Sequence, residues 1–326
     1  MHDIAILGAG RIGRIHAANA ARHPGLRLKY IVDPVATAAE ALAAETGAQV
    51  ADLDAALADP SVAGVIIASS TDTHLDYSCR AVAAGKAVFC EKPIDQDLTR
   101  ARSASATLAG ARLFLGFNRR FDPHFQALKA RLDSGAVGAL ETVQITSHDP
   151  APPPVSYIKV SGGIFKDMSI HDFDMARWLL AEPVTQVYAA ASCLVDPAIG
   201  EAGDVDTAKI LLRTGSGKLC VISNSRRSGY GYDQRIEAFG SKGMVKADNV
   251  LESTVSVWGA EGAAADRLQN FFLDRYAAAY RLEMDHFADI LSGKAAPAIT
   301  YEDGVGALAL AEAAAQSAKT GQVVTL

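Results

Sequence analysis

The sequence has little that would tie it to a membrane, a metal, a nucleic acid or an oxidising compartment. No uninterrupted apolar run approaches the roughly 18 residues that cross a bilayer, and Met1-His2-Asp3 opens the chain without a basic flank or a secretory cleavage site. A soluble, untargeted, cytoplasmic protein is expected. Cysteine is scarce: Cys79, Cys90, Cys193 and Cys220 stand far apart, with no Cys-x-x-Cys pair and no His-rich tract beside them. That argues against a metal site and fits free buried thiols in a reducing cytoplasm. Positive charge is not in excess either, 31 Lys plus Arg facing 37 Asp plus Glu for a net charge of −6, and no basic run tracks a phosphate backbone. Nucleic acid is not an expected partner. Nothing recurs at a fixed period, which excludes repeat architectures.

What is present is a chain of 326 residues, about twice what one domain needs, with ordinary globular composition. Up to about residue 120, short apolar runs such as Ile4-Ala5-Ile6-Leu7, Leu28–Val32, Val65–Ala68, Ala87–Cys90 and Leu113–Leu115 alternate with Ala-rich helical stretches. That is β-α repetition, and runs this apolar suit strands buried on both faces, hence an α/β domain with a doubly wound parallel sheet over residues 1–120. Beyond it the rhythm changes. A helix is predicted around 122–134, a strand near 141–147, a Pro-rich loop at 151–154 and a helix over 167–181. Strands at 184–193, 205–213, 217–225, 232–239, 243–247 and 253–258 then follow at the spacing of an antiparallel meander. Residues 121–326 therefore read as an α+β domain with an open, mainly antiparallel sheet, and a helix over 301–319 packs on one of the two domains.

The first strand runs directly into Gly8-Ala9-Gly10-Arg11-Ile12-Gly13, a helix follows, and Asp33 ends the next strand twenty residues beyond Gly13. In that context G-x-G-x-x-G is a dinucleotide-binding fingerprint. Gly8 permits the tight turn, Gly10 lets the backbone approach a pyrophosphate, Gly13 allows close helix packing, and the helix N-terminus offers free N–H groups. A carboxylate at Asp33 accepts from both ribose hydroxyls and repels a 2′-phosphate, and Pro34-Val35 supplies no cation for one, so NAD is expected over NADP. The alternative is an Asp that merely ends a strand before proline.

Glu91-Lys92-Pro93 sits at the carboxyl end of a strand, the edge where ligands collect in such sheets, although a solvated loop lysine would look the same. Farther on, Asp167, His171 and Asp174 stand at i, i+4 and i+7, on one face of the predicted helix. Oxidising an alcohol needs a base near neutral pKa with a fixed partner, so His171 is the candidate base. Asp167 would orient it, and Lys92 would stabilise the developing alkoxide. A capped surface helix with an i, i+4 ion pair is the other reading of the same spacing.

These residues, with Gly13-Arg14-Ile15-His16, Ser70-Thr71-Asp72-Thr73-His74, Gly116-Phe117-Asn118-Arg119-Arg120-Phe121-Asp122 and Asp167-Met168-x-x-His171-Asp172-x-Asp174, occur in the order of the glucose-fructose oxidoreductase/inositol dehydrogenase (Gfo/Idh/MocA) family. The resemblance spans nearly the whole chain. It looks most like the family's bacterial inositol 2-dehydrogenases, through Ser147-His148-Asp149-Pro150 and the stretch from Ser161 to Trp178. It implies an NAD-binding Rossmann domain followed by a substrate-binding and oligomerisation domain, a cyclic polyol as substrate, and NAD-dependent oxidation of myo-inositol to 2-keto-myo-inositol. Lys92, Asp167 and His171 would be the catalytic set. Asp174, Asp149 and Tyr232 would bind substrate hydroxyls, and Ser69, Ser70, Thr71, His74, Glu91 and Lys92 would join Gly8, Gly10, Arg11, Ile12, Gly13 and Asp33 along the cofactor. Ser and Thr at such places also cap helices, so Thr71 and His74 keep both readings. The resemblance further implies a homotetramer built through the open sheet face.

Competing readings are a dehydrogenase of another inositol or sugar, such as scyllo-inositol or a hexopyranose, and an NAD-dependent glycosidase. A non-catalytic NAD-sensing regulator is disfavoured, because a pure binding module has no need of Lys92, Asp167 and His171 together.

Overall fold

Short runs that are apolar at successive positions suit strands covered on both faces, and the first part of the chain is built from them. In the computed structural model, which describes residues 1–326, β1 (His2–Leu7), β2 (Leu26–Val32), β3 (Gln49–Val50), β4 (Val62–Ile67), β5 (Ala87–Glu91) and β6 (Leu113–Gly116) form one sheet. Its order is β3-β2-β1-β4-β5-β6 and every pairing is parallel. Ile4 to Leu7, Val65 to Ile67 and Val88 to Cys90 are fully buried. The sheet is doubly wound, as the alternation implies, and its strand order reverses between β1 and β4, where such sheets open a ligand crevice at their carboxyl edge.

The chain divides into two compact units, Met1–Phe121 with Ala279–Leu308, and Asp122–Ala278 with Ala309–Leu326. A single cut after residue 120 assigns residues 279–308 to the second domain, whereas they return to the first unit. Packing explains why. The helix Ala277–Leu291 sets Phe287 against Phe89, ring centroids 5.8 Å apart, and His286 against Phe114 at 5.1 Å. Just beyond it, the Ile299 carbonyl accepts from Leu115 N–H at 3.2 Å on β6, the last strand of the sheet.

The second unit contains β7 (Leu140–His148), β8 (Val184–Ser192), β9 (Thr207–Thr214), β10 (Leu219–Ser225), β11 (Asp233–Gly240), β12 (Gly243–Ala247) and the terminal β15 (Val324–Thr325), in the order β12-β11-β7-β10-β9-β8-β15. All pairings are antiparallel except β7 with β10. The meander holds for β8-β9-β10 and then breaks, because the stretch 226–232 exceeds a tight hairpin loop and carries the chain past β7 before β11 begins. A separate hairpin, β13 (Ser256–Gly259) with β14 (Gly262–Ala265), takes the place of the last expected strand. Along β9 the side chains alternate, Ala208, Ile210 and Leu212 buried and Leu211 exposed, so one sheet face is covered and the other is open. All four cysteines are free, but only Cys90 and Cys220 are buried; Cys79 and Cys193 are half-buried, a correction to the expectation for all four. No helix is long and apolar enough to cross a membrane.

Phe287 is fully buried. Phe287→Ala is expected to destabilise the protein by about 3–5 kcal/mol, the usual cost of an aromatic deletion in a core, as read from urea denaturation. An unchanged midpoint would mean that the returning helix contributes little to the first unit.

Candidate active site

In the first unit, β1 ends in the glycine turn and the helix Arg11–Arg22 begins. Gly8 has φ of +110°, and a Cβ there would stand 2.4 Å from the Ala68 carbonyl oxygen; one on Gly13 would stand 1.9 Å from the Gly8 carbonyl oxygen. Turn and helix therefore touch backbone to backbone. Gly10 differs, since a Cβ there would meet nothing within 4 Å, which leaves room for a phosphate to approach the chain. It occupies the N-cap position without any side-chain cap bond, so the N–H groups at the start of the helix, Arg11 and Ile12 among them, are available to an anion. Asp33 accepts from Ala9 N–H at 2.7 Å and from Val35 N–H at 2.8 Å, one bond to each oxygen. It thus ends its strand and braces the glycine turn together, and a carboxylate has further lone pairs for ribose hydroxyls. Open space at Gly10, uncapped helix N–H groups and Asp33 suit a nicotinamide dinucleotide.

Ser69, Ser70 and Thr71 lead from β4 into the helix Thr71–Ala83. Ser70 is at the N-cap yet makes no side-chain cap bond, so capping is not what its hydroxyl does. Thr73 Oγ1 donates to the Ser70 carbonyl at 2.7 Å, and Ser69 Oγ therefore donates to Thr73 across 2.6 Å. Thr71 is half-buried. His74 is buried with Nδ1 2.8 Å from the Pro93 carbonyl and Nε2 3.1 Å from the Ser69 carbonyl, tying the ends of β4 and β5 together; burial holds its pKa below the usual value.

Lys92 follows β5, and its peptide bond to Pro93 is cis. The preceding Glu91 places Oε1 2.7 Å from Nε2 of His16, a fully buried ring standing edge-on to Phe89 at 4.7 Å. Close by, Glu283 of the returning helix is fully buried with both carboxyl oxygens lacking a hydrogen-bond partner. Burial first, and the Glu91 charge second, push its pKa well above the carboxylate range. A folded-state pKa above the unfolded value means that the fold keeps a proton which the unfolded chain releases once pH exceeds about 4.3, so the native state loses stability as pH rises. Glu283→Gln has no such proton to hold. Its unfolding free energy, from urea denaturation across pH, is expected to gain on wild type progressively above about pH 5, with a limiting slope of about 1.4 kcal/mol per pH unit. A difference that stays constant with pH would contradict the neutral acid.

In the second unit the expected helix over 167–181 is two pieces, Gly163–Asp167 and Ser169–Leu180, with Met168 between them. His171 N–H bonds three residues back to the Met168 carbonyl at 3.3 Å, so the turn tightens there and Asp167 ends the earlier piece. Asp167, His171 and Asp174 therefore do not share one uninterrupted helix. Tyr157 OH donates to Asp167 Oδ1 at 2.8 Å, and both Arg226 terminal nitrogens donate to Oδ2 at 3.2 Å. Arg226 is buried and also pairs with Asp204 at 3.7 Å, while Asp204 accepts from Ile164 N–H at 3.1 Å. His171 is half-buried and Asp174 fully buried. Asp149 follows β7 and donates its N–H to the Ser225 carbonyl at 2.9 Å; Tyr232 precedes β11, its ring edge-on to Tyr276 at 6.0 Å. His148 pairs with Asp233 in the sheet, so Asp149 and Tyr232 leave it at one level. Sequence reading does not single out Tyr157, Asp204 or Arg226; the polar run Ser223-Asn224-Ser225-Arg226 marks the strand end beside Arg226 but not the remote carboxylates it reaches, and no local pattern marks Tyr157 or Asp204.

Residues 2–118 match the model of an oxidoreductase family with an NAD-binding Rossmann fold, and residues 125–246 match that of the GFO/IDH/MocA C-terminal domain. Inositol 2-dehydrogenase of Rhizobium meliloti is 48% identical over 314 residues, 96% of this chain and 95% of that one. The chain belongs to the Gfo/Idh/MocA oxidoreductase family. Among solved structures, a myo-inositol dehydrogenase from Corynebacterium glutamicum is similar at a TM-score of 0.95 and 46% identity, covering 100% of this chain and 99% of that one. The scyllo-inositol dehydrogenase of Lactobacillus casei, solved with NAD(H) and scyllo-inositol, is similar at a TM-score of 0.92 and 29% identity, with coverage of 100% and 99%. As a Gfo/Idh/MocA member the protein is an oxidoreductase whose first unit is an NAD-binding Rossmann unit, and NAD is its cofactor.

Proposed function

We propose that this oxidoreductase converts myo-inositol to 2-keto-myo-inositol in the cytoplasm. The observation that carries the reading is the 48% identity to an inositol 2-dehydrogenase along nearly the whole of both chains. NAD, when bound, takes up the hydride. Every other part of the reaction falls to side chains. Lys92 hydrogen-bonds the reacting hydroxyl and stabilises the alkoxide as charge develops. His171 accepts the hydroxyl proton, a role that suits imidazole because its ordinary pKa lies near neutrality. Asp167 orients that imidazole while Tyr157 and Arg226 hold the carboxylate still. Asp174, Asp149 and Tyr232 bind the remaining ring hydroxyls, since each can make more than one hydrogen bond in a dry site. Ser69, Ser70, Thr71, His74 and Glu91 belong to the cofactor side, where His74 keeps the two strand ends in register.

Turnover is tested by NADH formation with myo-inositol, scyllo-inositol, D-chiro-inositol, D-glucose and D-xylose, with NADP in a parallel series. Saturable turnover best with myo-inositol and NAD is expected. A better rate with scyllo-inositol, or release of a leaving group without net NADH, would move the substrate or the reaction. Lys92→Met is expected to lower kcat about a hundredfold or more while NAD still binds; an active variant would remove Lys92 from the chemistry.

The same reading makes the protein a homotetramer that covers the open face of the second unit's sheet, where Tyr188, Leu211, Leu219, Val221 and Phe239 are exposed. Light scattering of the dilute enzyme should give four times the 34.2 kDa chain mass. A monomer mass would sink this.

A further inference from the structure

One row of the second sheet breaks the pattern of its covered face. There β10 presents Cys220 and Ile222, β7 presents Val143 and Ile145, and β11 presents Ile236 and Ala238, all buried. The next row is Asn224, Ser147 and Gln234, Asn224 paired with Ser147 and Ser147 with Gln234, and none is more than 1% exposed. Polar side chains at this depth are costly unless bonded. Asn224 Nδ2 donates to Asp172 Oδ2 at 2.8 Å and lies 3.4 Å from the Ser147 carbonyl, while its Oδ1 accepts from Ser169 Oγ at 2.6 Å. Ser147 Oγ in turn donates to Gln234 Oε1 at 3.2 Å, which the Tyr276 hydroxyl also reaches at 3.3 Å. Ser169 opens the helix Ser169–Leu180 and Asp172 directly follows His171; both are fully buried. A single amide therefore grips that helix on either side of the histidine, in the first turn, where the backbone has already departed from regular α-geometry.

The two bonds are of opposite polarity. A hydroxyl needs an acceptor and a carboxylate needs a donor, and an amide supplies both from one planar group. We propose that Asn224 is a positioning residue for His171: by bonding Ser169 and Asp172 it sets the rotation and depth of the helix on the sheet, and with them the aim of the imidazole. The inference rests on the reading of His171 as the base.

The full-length enzyme is compared with Asn224→Leu, with Asn224→Asp, with the exchange that combines Asp172→Asn and Asn224→Asp, and with His171→Ala. Asn224→Leu keeps the volume and loses both bonds; kcat is expected to fall about ten- to a hundredfold, with NAD affinity by fluorescence titration within about twofold of wild type. The exchange again sets an amide against a carboxylate and should recover most of the loss. Asn224→Asp puts two carboxyls together, so they share one proton at low pH and repel above it. Its kcat, relative to wild type, should therefore decline as pH rises. Ser169 on the helix and the Ser147 carbonyl on β7 meet that pair, and the Cys220 thiol on β10, whose pKa burial and the Asp172 charge push up, faces it from the sheet. A folded Asn224→Leu with wild-type kcat, or an exchange variant no better than Asn224→Leu, would overturn the proposal. Should Asn224→Leu fail to fold, the pH profile of Asn224→Asp decides, and a profile parallel to wild type overturns it. Wild-type rates in His171→Ala would instead overturn the reading of His171 as base, whatever the Asn224 variants do.

Discussion

The approach of the Gly13 backbone to the Gly8 carbonyl is the constraint from which the first unit's binding geometry follows. A methyl group at Gly13 would stand 1.9 Å from that oxygen, and one at Gly8 would strike the Ala68 carbonyl at the end of β4. Three segments are thus drawn together with no side chains between them: the exit of β1, the start of the first helix and the exit of β4. Once they are, the helix can only point its N-terminus at the carboxyl edge of the sheet, and its unbonded N–H groups become an anion site rather than a surface flaw. Asp33 completes the arrangement from β2 by bonding Ala9 in the middle of the turn, which fixes a carboxylate beside the place that the glycines keep open.

The second unit solves a different problem, that of holding charged and polar groups where a core should be. Arg226 lies buried between Asp167 and Asp204, and breaking one partner of such a group typically costs 3–5 kcal/mol because a charge is then left without compensation. That cost restrains Asp167 more tightly than its position at the end of a one-turn helix would. Rigidity at a carboxylate has chemical value when it must hold an imidazole in one orientation, since a misplacement of 1 Å can cost about a hundredfold in rate.

Adjacency in the chain decides what could be read beforehand. Gly8 to Gly13 is one stretch, Asp33 lies one β-α unit away, and the apolar runs from β1 to β6 declare themselves position by position; all of these were legible. The single helix over 167–181 was not quite right, because spacing alone cannot distinguish a continuous helix from one that tightens at Met168. The place of β7 between β10 and β11 depends on pairings between strands some 75 to 90 residues apart, as with Ile145 and Ile222 or Ser147 and Gln234, and no local pattern reports them. For the same reason Arg226 and Glu283 were missed, each reaching a partner or neighbour from a remote segment. Asn224 is intermediate. Its strand alternates Cys220, Ile222, Asn224 on the covered face, so an amide falls where an apolar side chain belongs, which marks the position without saying what it bonds.

Two buried polar groups, one in each unit, make the energetic contrast plain. Asn224 meets a carboxylate and a hydroxyl with the polarity each requires, and its burial is offset by the bonds it makes. Glu283 meets neither, so the fold keeps it by suppressing its ionisation, a choice that weakens the native state at every pH where the unfolded chain would release the proton. A core tuned for stability alone would carry an apolar residue there, as its helix does at Met284 and Phe287. What the acid shares its pocket with is the Glu91 carboxylate, already bonded to His16 and one residue before Lys92. Two ionised carboxylates in that dry space would repel each other and disturb the strand end that carries the lysine. Holding one of them neutral leaves a single negative charge behind Lys92, at a cost in stability that grows as pH rises.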